Sequence, residues 1–64
     1  MSIEEDLDDL REARRSRMDH MFNVLADSYA GSPNAIAAAK QHFRDGLRFT
    51  REATAFAAAE IKAE

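Results

Sequence analysis

The side chains best suited to metal chemistry are two histidines, His20 and His42. If each lies on one helix of a hairpin, they fall at nearly the same height on the same side and can approach one another. Helical carboxylate-bridged iron sites place a glutamate three residues before the histidine, whereas Arg17 and Ala39 occupy those positions here. We therefore expect no metal and no other cofactor, and interpret the pair as partly exposed polar residues or a mild pH sensor.

No serine in the sequence has the surroundings of a catalytic nucleophile. The serines are typical of helix caps or helix surface, and the sequence contains no cysteine and no glycine-rich phosphate-binding loop. The carboxylates cluster at the start of the chain instead of surrounding a cleft. A rod of long helices offers no concavity that excludes water from a reaction. We expect no enzymatic activity.

Charged residues form two sets that are candidates for contact with a partner. The acidic set opens the chain and consists of Glu4, Glu5, Asp8 and Asp9. The basic set falls near the middle of both predicted helices and consists of Arg11, Arg15, Lys40, Arg44, Arg48 and Arg51. Cations in such a belt can also bind the phosphates of a nucleic acid, with an affinity that depends strongly on the salt concentration.

We expect surface ion pairs to neutralise much of the basic set, with Arg44 near Asp19 and Arg51 near Glu12 or Asp8. Each such pair contributes about 0–1 kcal/mol. No aromatic residue interleaves the basic stripe to stack on bases, as single-strand binders commonly do. The net charge of −3 also argues against a general nucleic-acid binder. These features favour a protein partner over nucleic acid.

A single cluster of helix-breaking residues, at positions 31–34, divides the chain into two helical segments. Gly31 suits the left-handed position just past a helix end, while Ser32 and Pro33 suit an N-cap and a first-turn proline. At the start of the chain, Ser2 and Glu5 match the capping-box pattern. We predict helix 1 over about residues 3–30, a turn at 31–32, and helix 2 over about residues 33–63.

Apolar residues recur at spacings of three and four along most of both segments, which is typical of amphipathic helices. The stripe of helix 1 consists of Ile3, Leu7, Leu10, Met18, Met21, Leu25 and Tyr29. The stripe of helix 2 consists of Ile36, Ala39, Phe43, Leu47, Ala57, Ala58 and Ile61. A short turn makes the helices antiparallel, with Met21 opposite Phe43 and Met18 opposite Gly46. Residues 1–64 are thus predicted to form one all-α domain, an antiparallel two-helix hairpin.

Helix 2 has more apolar surface than one neighbouring helix can cover. Phe49, Phe56 and Ala53 form a flank beside its stripe, and Val24 and Ala13 lie on the same side of helix 1. A helix that packs against a single neighbour needs one stripe, and each exposed phenylalanine forfeits roughly 1.5–3 kcal/mol. A chain of 64 residues without cysteine is expected to gain stability from a partner. We predict a homodimeric four-helix bundle with this flank at its seam, the alternative being a groove on a larger partner protein.

A polar layer is predicted in the middle of the hairpin. Arg14 falls at the centre of the helix 1 stripe, with Thr50 and Thr54 opposite. A buried guanidinium must reach a carboxylate, a carbonyl or water. We interpret the layer as a device that fixes the register, the alternative being a site for an anion or a partner carboxylate.

The predicted function is that of a small cytoplasmic, non-enzymatic adaptor, regulator or inhibitor, which binds a protein partner as a homodimer. No apolar run approaches the roughly 18 residues of a membrane span. One alternative is an RNA-binding helical bundle that uses the basic set and resembles the plasmid copy-control RNA modulator (Rop-like) in architecture. A second alternative is a co-chaperone or a small subunit of a larger assembly.

Overall fold

The computed structural model describes residues 2–63, which form two helices packed as an antiparallel hairpin. Helix α1 spans Ile3–Ser28 and helix α2 spans Pro33–Lys62. A four-residue connection, 29–32, joins them. The predicted all-α hairpin is confirmed. Met1 and Glu64, the two ends of the predicted domain, lie outside the described residues.

Local capping determines where both helices start. The Ser2 hydroxyl accepts a hydrogen bond from the Glu5 N–H at 3.1 Å, and the Ser32 hydroxyl accepts one from the Ala35 N–H at 3.2 Å. Each bond satisfies one of the backbone donors that a helix start leaves without a partner. Pro33 occupies the first turn of α2, where the N–H that proline lacks would be unpaired in any case. The predicted caps are confirmed.

Helix α1 ends at Ser28, two residues before its predicted end. The Ser28 hydroxyl donates to the Leu25 carbonyl, and the Tyr29 N–H donates to the Ala26 carbonyl at 3.2 Å in a tightened last turn. The left-handed conformation predicted for Gly31 is wrong, because no glycine in residues 2–63 has a positive φ. Gly31 is needed for space instead, since a Cβ there would lie 3.2 Å from the Ser28 carbonyl oxygen.

One contact across the seam differs from the prediction. Met21 packs against Gly46, where an added Cβ would lie 3.1 Å from the Met21 sulfur. The predicted pairing of Gly46 with Met18 is therefore wrong, whereas Met21 lines the same groove as Phe43, its predicted partner. Gly46 leaves the room that the long Met21 side chain fills.

The hairpin has almost no interior of its own. Among the described residues no apolar side chain is buried, and Thr50, at 6% exposure, is the one buried residue. The residues of the two predicted stripes that lie along the seam are mostly half-buried. Two helices cover each other along a single line, so side chains on both sides of that line stay open to solvent. The surfaces on which function can be placed are these two sides.

Candidate functional site

One side of the hairpin is an apolar face that follows the seam. A groove lined by Ala13, Phe49 and Ala53 continues towards the connection into a second groove lined by Val24 and Ala39. Phe56 follows Phe49 by seven residues, so it lies on the same side of α2. We define the apolar face as Ala13, Val24, Ala39, Phe49, Ala53 and Phe56.

The aromatic rings of the apolar face are open to solvent in the single hairpin. Phe49 is 53% exposed and Phe56 is 68% exposed. Ala13, Val24 and Ala53 are also exposed. All five residues predicted for self-association therefore lie on one side of the molecule with their surfaces free. Exposed apolar surface concentrated on one side is characteristic of interaction sites in soluble proteins, although Arg17 lines both grooves where they meet.

His20 and His42 both line the apolar groove near Val24, so the two helices bring them to the same height. Within residues 2–63, no three side chains of the His, Cys, Asp and Glu types come together in a way that could hold a metal ion. The two imidazoles add polar groups to one end of the apolar face.

A polar contact crosses the seam at Thr50, but its guanidinium comes from Arg17. The Arg17 Nε donates to the Thr50 hydroxyl at 2.8 Å, and that hydroxyl donates to the Met21 sulfur at 3.7 Å. The Thr54 hydroxyl donates to the Thr50 carbonyl at 2.6 Å. Arg14, predicted at the centre of this layer, is exposed and takes no part in it. Arg14 lines the same groove as Thr50 and Thr54, but its predicted burial is wrong, and Arg17 supplies the guanidinium that reaches Thr50.

We expect Arg17→Met to lower the free energy of unfolding by about 1 kcal/mol, because it removes the hydrogen bond to Thr50. The matched change Arg14→Met removes the same charge from an exposed side chain without that bond, and should change stability by less than about 0.5 kcal/mol. Urea unfolding of both variants at one protein concentration measures the difference. Equal losses would contradict a stabilising role for the Arg17 contact.

The opposite side of the hairpin carries a groove with a concentration of cations. Its floor includes Met18 and Leu47. We define the arginine groove by its guanidiniums, which belong to Arg11, Arg14, Arg15 and Arg51. A neighbouring depression, towards the open end of the hairpin, adds Lys62. The structure therefore brings together three members of the predicted basic set, together with Arg14.

Two ion pairs occur among the described residues, and each lies within one helix. Arg11 pairs with Asp8 at 2.7 Å, and Arg48 pairs with Asp45 at 3.9 Å. Three of the four side chains are largely exposed and that of Asp45 is 42% exposed, so each pair contributes little to stability. The Arg48 guanidinium also lies 5.0 Å from the centroid of the Phe49 ring, at the edge of the apolar face. Arg48 is thus engaged away from the arginine groove.

The predicted interhelical ion pairs do not form within residues 2–63. Arg44 does not pair with Asp19, and Arg51 pairs with neither Glu12 nor Asp8, so that prediction is wrong. Most of the basic set therefore faces solvent without a carboxylate.

Aromatic rings share the basic side of the hairpin. The Lys40 ammonium lies 5.8 Å from the centroid of the Tyr29 ring. Phe22 follows Met18 by four residues and Arg15 by seven, so it lies on the same side of α1 as the arginine groove. Phe22 is 57% exposed and Tyr29 is 55% exposed. The prediction that no aromatic residue interleaves the cations is wrong, because it considered the stripe on α2 without the adjoining surface of α1.

The acidic set lies at the open end of the hairpin, in the first turns of α1. Glu4, Glu5, Asp8 and Asp9 are all exposed. Carboxylates in the first turn interact favourably with the positive end of the helix dipole, which gives Glu4 and Glu5 a structural role in addition to any contact with a partner.

The hairpin thus combines an apolar side, a basic side and an acidic end. Within residues 2–63, neither helix has the length and apolar composition that crossing a lipid bilayer requires. Comparison of the chain with protein-family models, with curated proteins and with solved structures gave no match.

Proposed function

We propose that this chain is a small non-enzymatic adaptor or regulator that works by protein–protein binding, and that it pairs with a second copy of itself through the apolar face. The observation that carries the proposal is the lack of an apolar interior. No apolar side chain among the described residues is buried, while Phe49 and Phe56 remain more than half exposed on one side. Covering the exposed part of each ring is worth roughly 1–2 kcal/mol, which a lone hairpin forgoes.

A second copy is a suitable occupant because the apolar face combines large and small side chains. The ring of Phe49 lies in the same groove as Ala13 and Ala53. A two-fold axis through this face would place the ring of one copy against the alanines of the other, and the reverse. Two hairpins joined in this way form a four-helix bundle, in which helices commonly pack at small angles.

The proposed dimer leaves other surfaces free for a further protein. The acidic end and the basic side lie away from the apolar face, so neither is covered by the second copy. An adaptor or regulator of this size would present one of these charged surfaces to its partner. Charged surfaces of opposite sign speed association and select partners, which suits a small binding protein.

Sedimentation equilibrium of the purified chain tests this proposal. We expect a single species of twice the 7.2 kDa chain mass at micromolar concentration, with helical circular dichroism. A folded, helical monomer at the same concentration would contradict the proposal. A monomer that is largely unfolded would also contradict self-pairing, and would favour a subunit that folds within a larger assembly.

A further inference from the structure

We infer that the basic side of the hairpin binds single-stranded nucleic acid, with phosphates in the arginine groove and bases stacked on Phe22 and Tyr29. The residues concerned belong to one hairpin, and all of them except Arg14, which borders both sides, lie opposite the apolar face. The inference therefore stands independently of the proposed dimer.

The first argument is the charge of the arginine groove. Arg14, Arg15 and Arg51 line it together, and none has a carboxylate oxygen within 4.0 Å among the described residues. Like charges that share a groove repel one another, and a bound anion relieves that repulsion. The planar guanidinium binds phosphate oxygens through two parallel hydrogen bonds, so a phosphate-bearing ligand fits this set.

The arginine groove also contains a carboxylate side chain that could pair with Arg15 but does not. Asp19 lines the same groove and follows Arg15 by four residues, which is the spacing of a helical ion pair. The two side chains nevertheless form no ion pair within residues 2–63. The guanidinium of Arg15 thus remains available to a ligand from solution.

The second argument is the pair of exposed rings beside these cations. Arg15, Phe22 and Tyr29 are separated by seven residues each, so successive side chains stand roughly 10 Å apart along α1. The Lys40 ammonium beside the Tyr29 ring adds a cation at the far end of this row. Grooves that combine cations with stacking rings are characteristic of single-strand binding, whereas an acidic polypeptide has no flat bases to stack.

The acidic end sets the path of the strand. Glu4, Asp8 and Asp9 lie beyond Arg11 and repel phosphates, so a bound strand would run from the arginine groove towards the connection. That path covers the row from Arg15 to Tyr29 and would hold on the order of four nucleotides. Because the contacts are with phosphates and ring faces, we expect little preference for base sequence.

Tyr29 provides a direct readout, because the sequence contains one tyrosine and no tryptophan. Titration of the full chain with a twelve-nucleotide oligothymidine should quench the intrinsic fluorescence to saturation. Affinity should fall as salt rises, as expected when phosphates exchange counterions for guanidiniums. An absence of quenching at low salt and micromolar protein would overturn the inference.

Matched variants distinguish binding in the arginine groove from attraction by positive charge elsewhere on the protein. The double change Arg15→Gln with Arg51→Gln should weaken binding at least ten-fold and reduce the slope of log affinity against log salt by about 1.4, since each phosphate contact on a single strand contributes about 0.7. Arg48→Gln removes one positive charge from a side chain outside the arginine groove, and it should alter the affinity less than two-fold. Equal effects of Arg48→Gln and either groove change alone would overturn the assignment to the groove.

The stacking role has its own test. Phe22→Ala keeps every charge and should weaken binding at least five-fold, the lower end of the effect of losing one stacked base. Circular dichroism of each variant is the control that tests whether its helices are retained. A duplex that binds more tightly than the single strand, or polyglutamate that displaces it at equal charge, would overturn the inference. Either result would leave the apolar face and the proposed dimer untouched.

Discussion

Phe49→Asp is expected to weaken self-association of the chain by two orders of magnitude or more. A two-fold interface contains the substituted position twice, and Phe49 is 53% exposed in the single hairpin, so each dimer loses the burial of about half of two rings, roughly 1 kcal/mol each. Each of the two new carboxylates would also lose hydration at the seam, at a cost of roughly 1–3 kcal/mol. A change of about 1.4 kcal/mol alters a dissociation constant ten-fold, so the summed loss moves it by at least two decades. Sedimentation equilibrium over a range of concentrations measures the constant.

Phe22→Asp is the matched control for this change. Phe22 is 57% exposed and Phe49 is 53% exposed in the single hairpin, so the two substitutions cost a lone hairpin about the same. Phe22 lies on the basic side, however, and we expect its substitution to alter the dimer constant less than about three-fold. Equal weakening by both variants would mean that the apolar face is not the seam.

The second large effect is an expected loss of structure on dilution. If folding requires a second copy, a hundred-fold dilution lowers the apparent free energy of unfolding by about 2.7 kcal/mol per dimer. The midpoint of thermal unfolding, followed by far-ultraviolet circular dichroism, should therefore fall by several degrees. The physical reason is that the single hairpin buries no apolar side chain among its described residues.

A midpoint that stays constant across this range of concentration would contradict the coupling of folding to pairing. The Phe49→Asp variant provides the comparison. We expect it to show, at high concentration, the lowered helix content that the unchanged chain shows only when dilute. A variant that remains fully helical as a monomer would show that the hairpin is stable without a partner.

The parts of the fold that depend on local chemistry were predictable from the sequence. Ser2 and Ser32 cap the helices because their hydroxyls bond to backbone N–H groups three residues later, and Pro33 suits a first turn in any protein. The two apolar stripes follow from spacing alone. These features need no knowledge of the neighbouring helix, which is why they match the structure.

The pairing of the two helices was not predictable in the same way. Met21 and not Met18 lies against Gly46, because contacts across the seam depend on how long side chains extend along it. In the same way Arg17 and not Arg14 is the hydrogen-bond partner of Thr50. The position of Phe22 beside the cations was also missed when each helix was considered separately. A face composed of two helices depends on how each helix is rotated about its axis.

The separation of the two sides has an evolutionary consequence. Ala13 and Phe49 line one side while Arg15 and Arg51 line the other, so selection can alter either row of residues without disturbing its counterpart. Arg14 and Thr50 are exceptions, since both border the two sides at once. Under the two proposals, sequence changes could therefore exchange one binding specificity and retain the other, provided that Thr50 keeps its size and its hydroxyl.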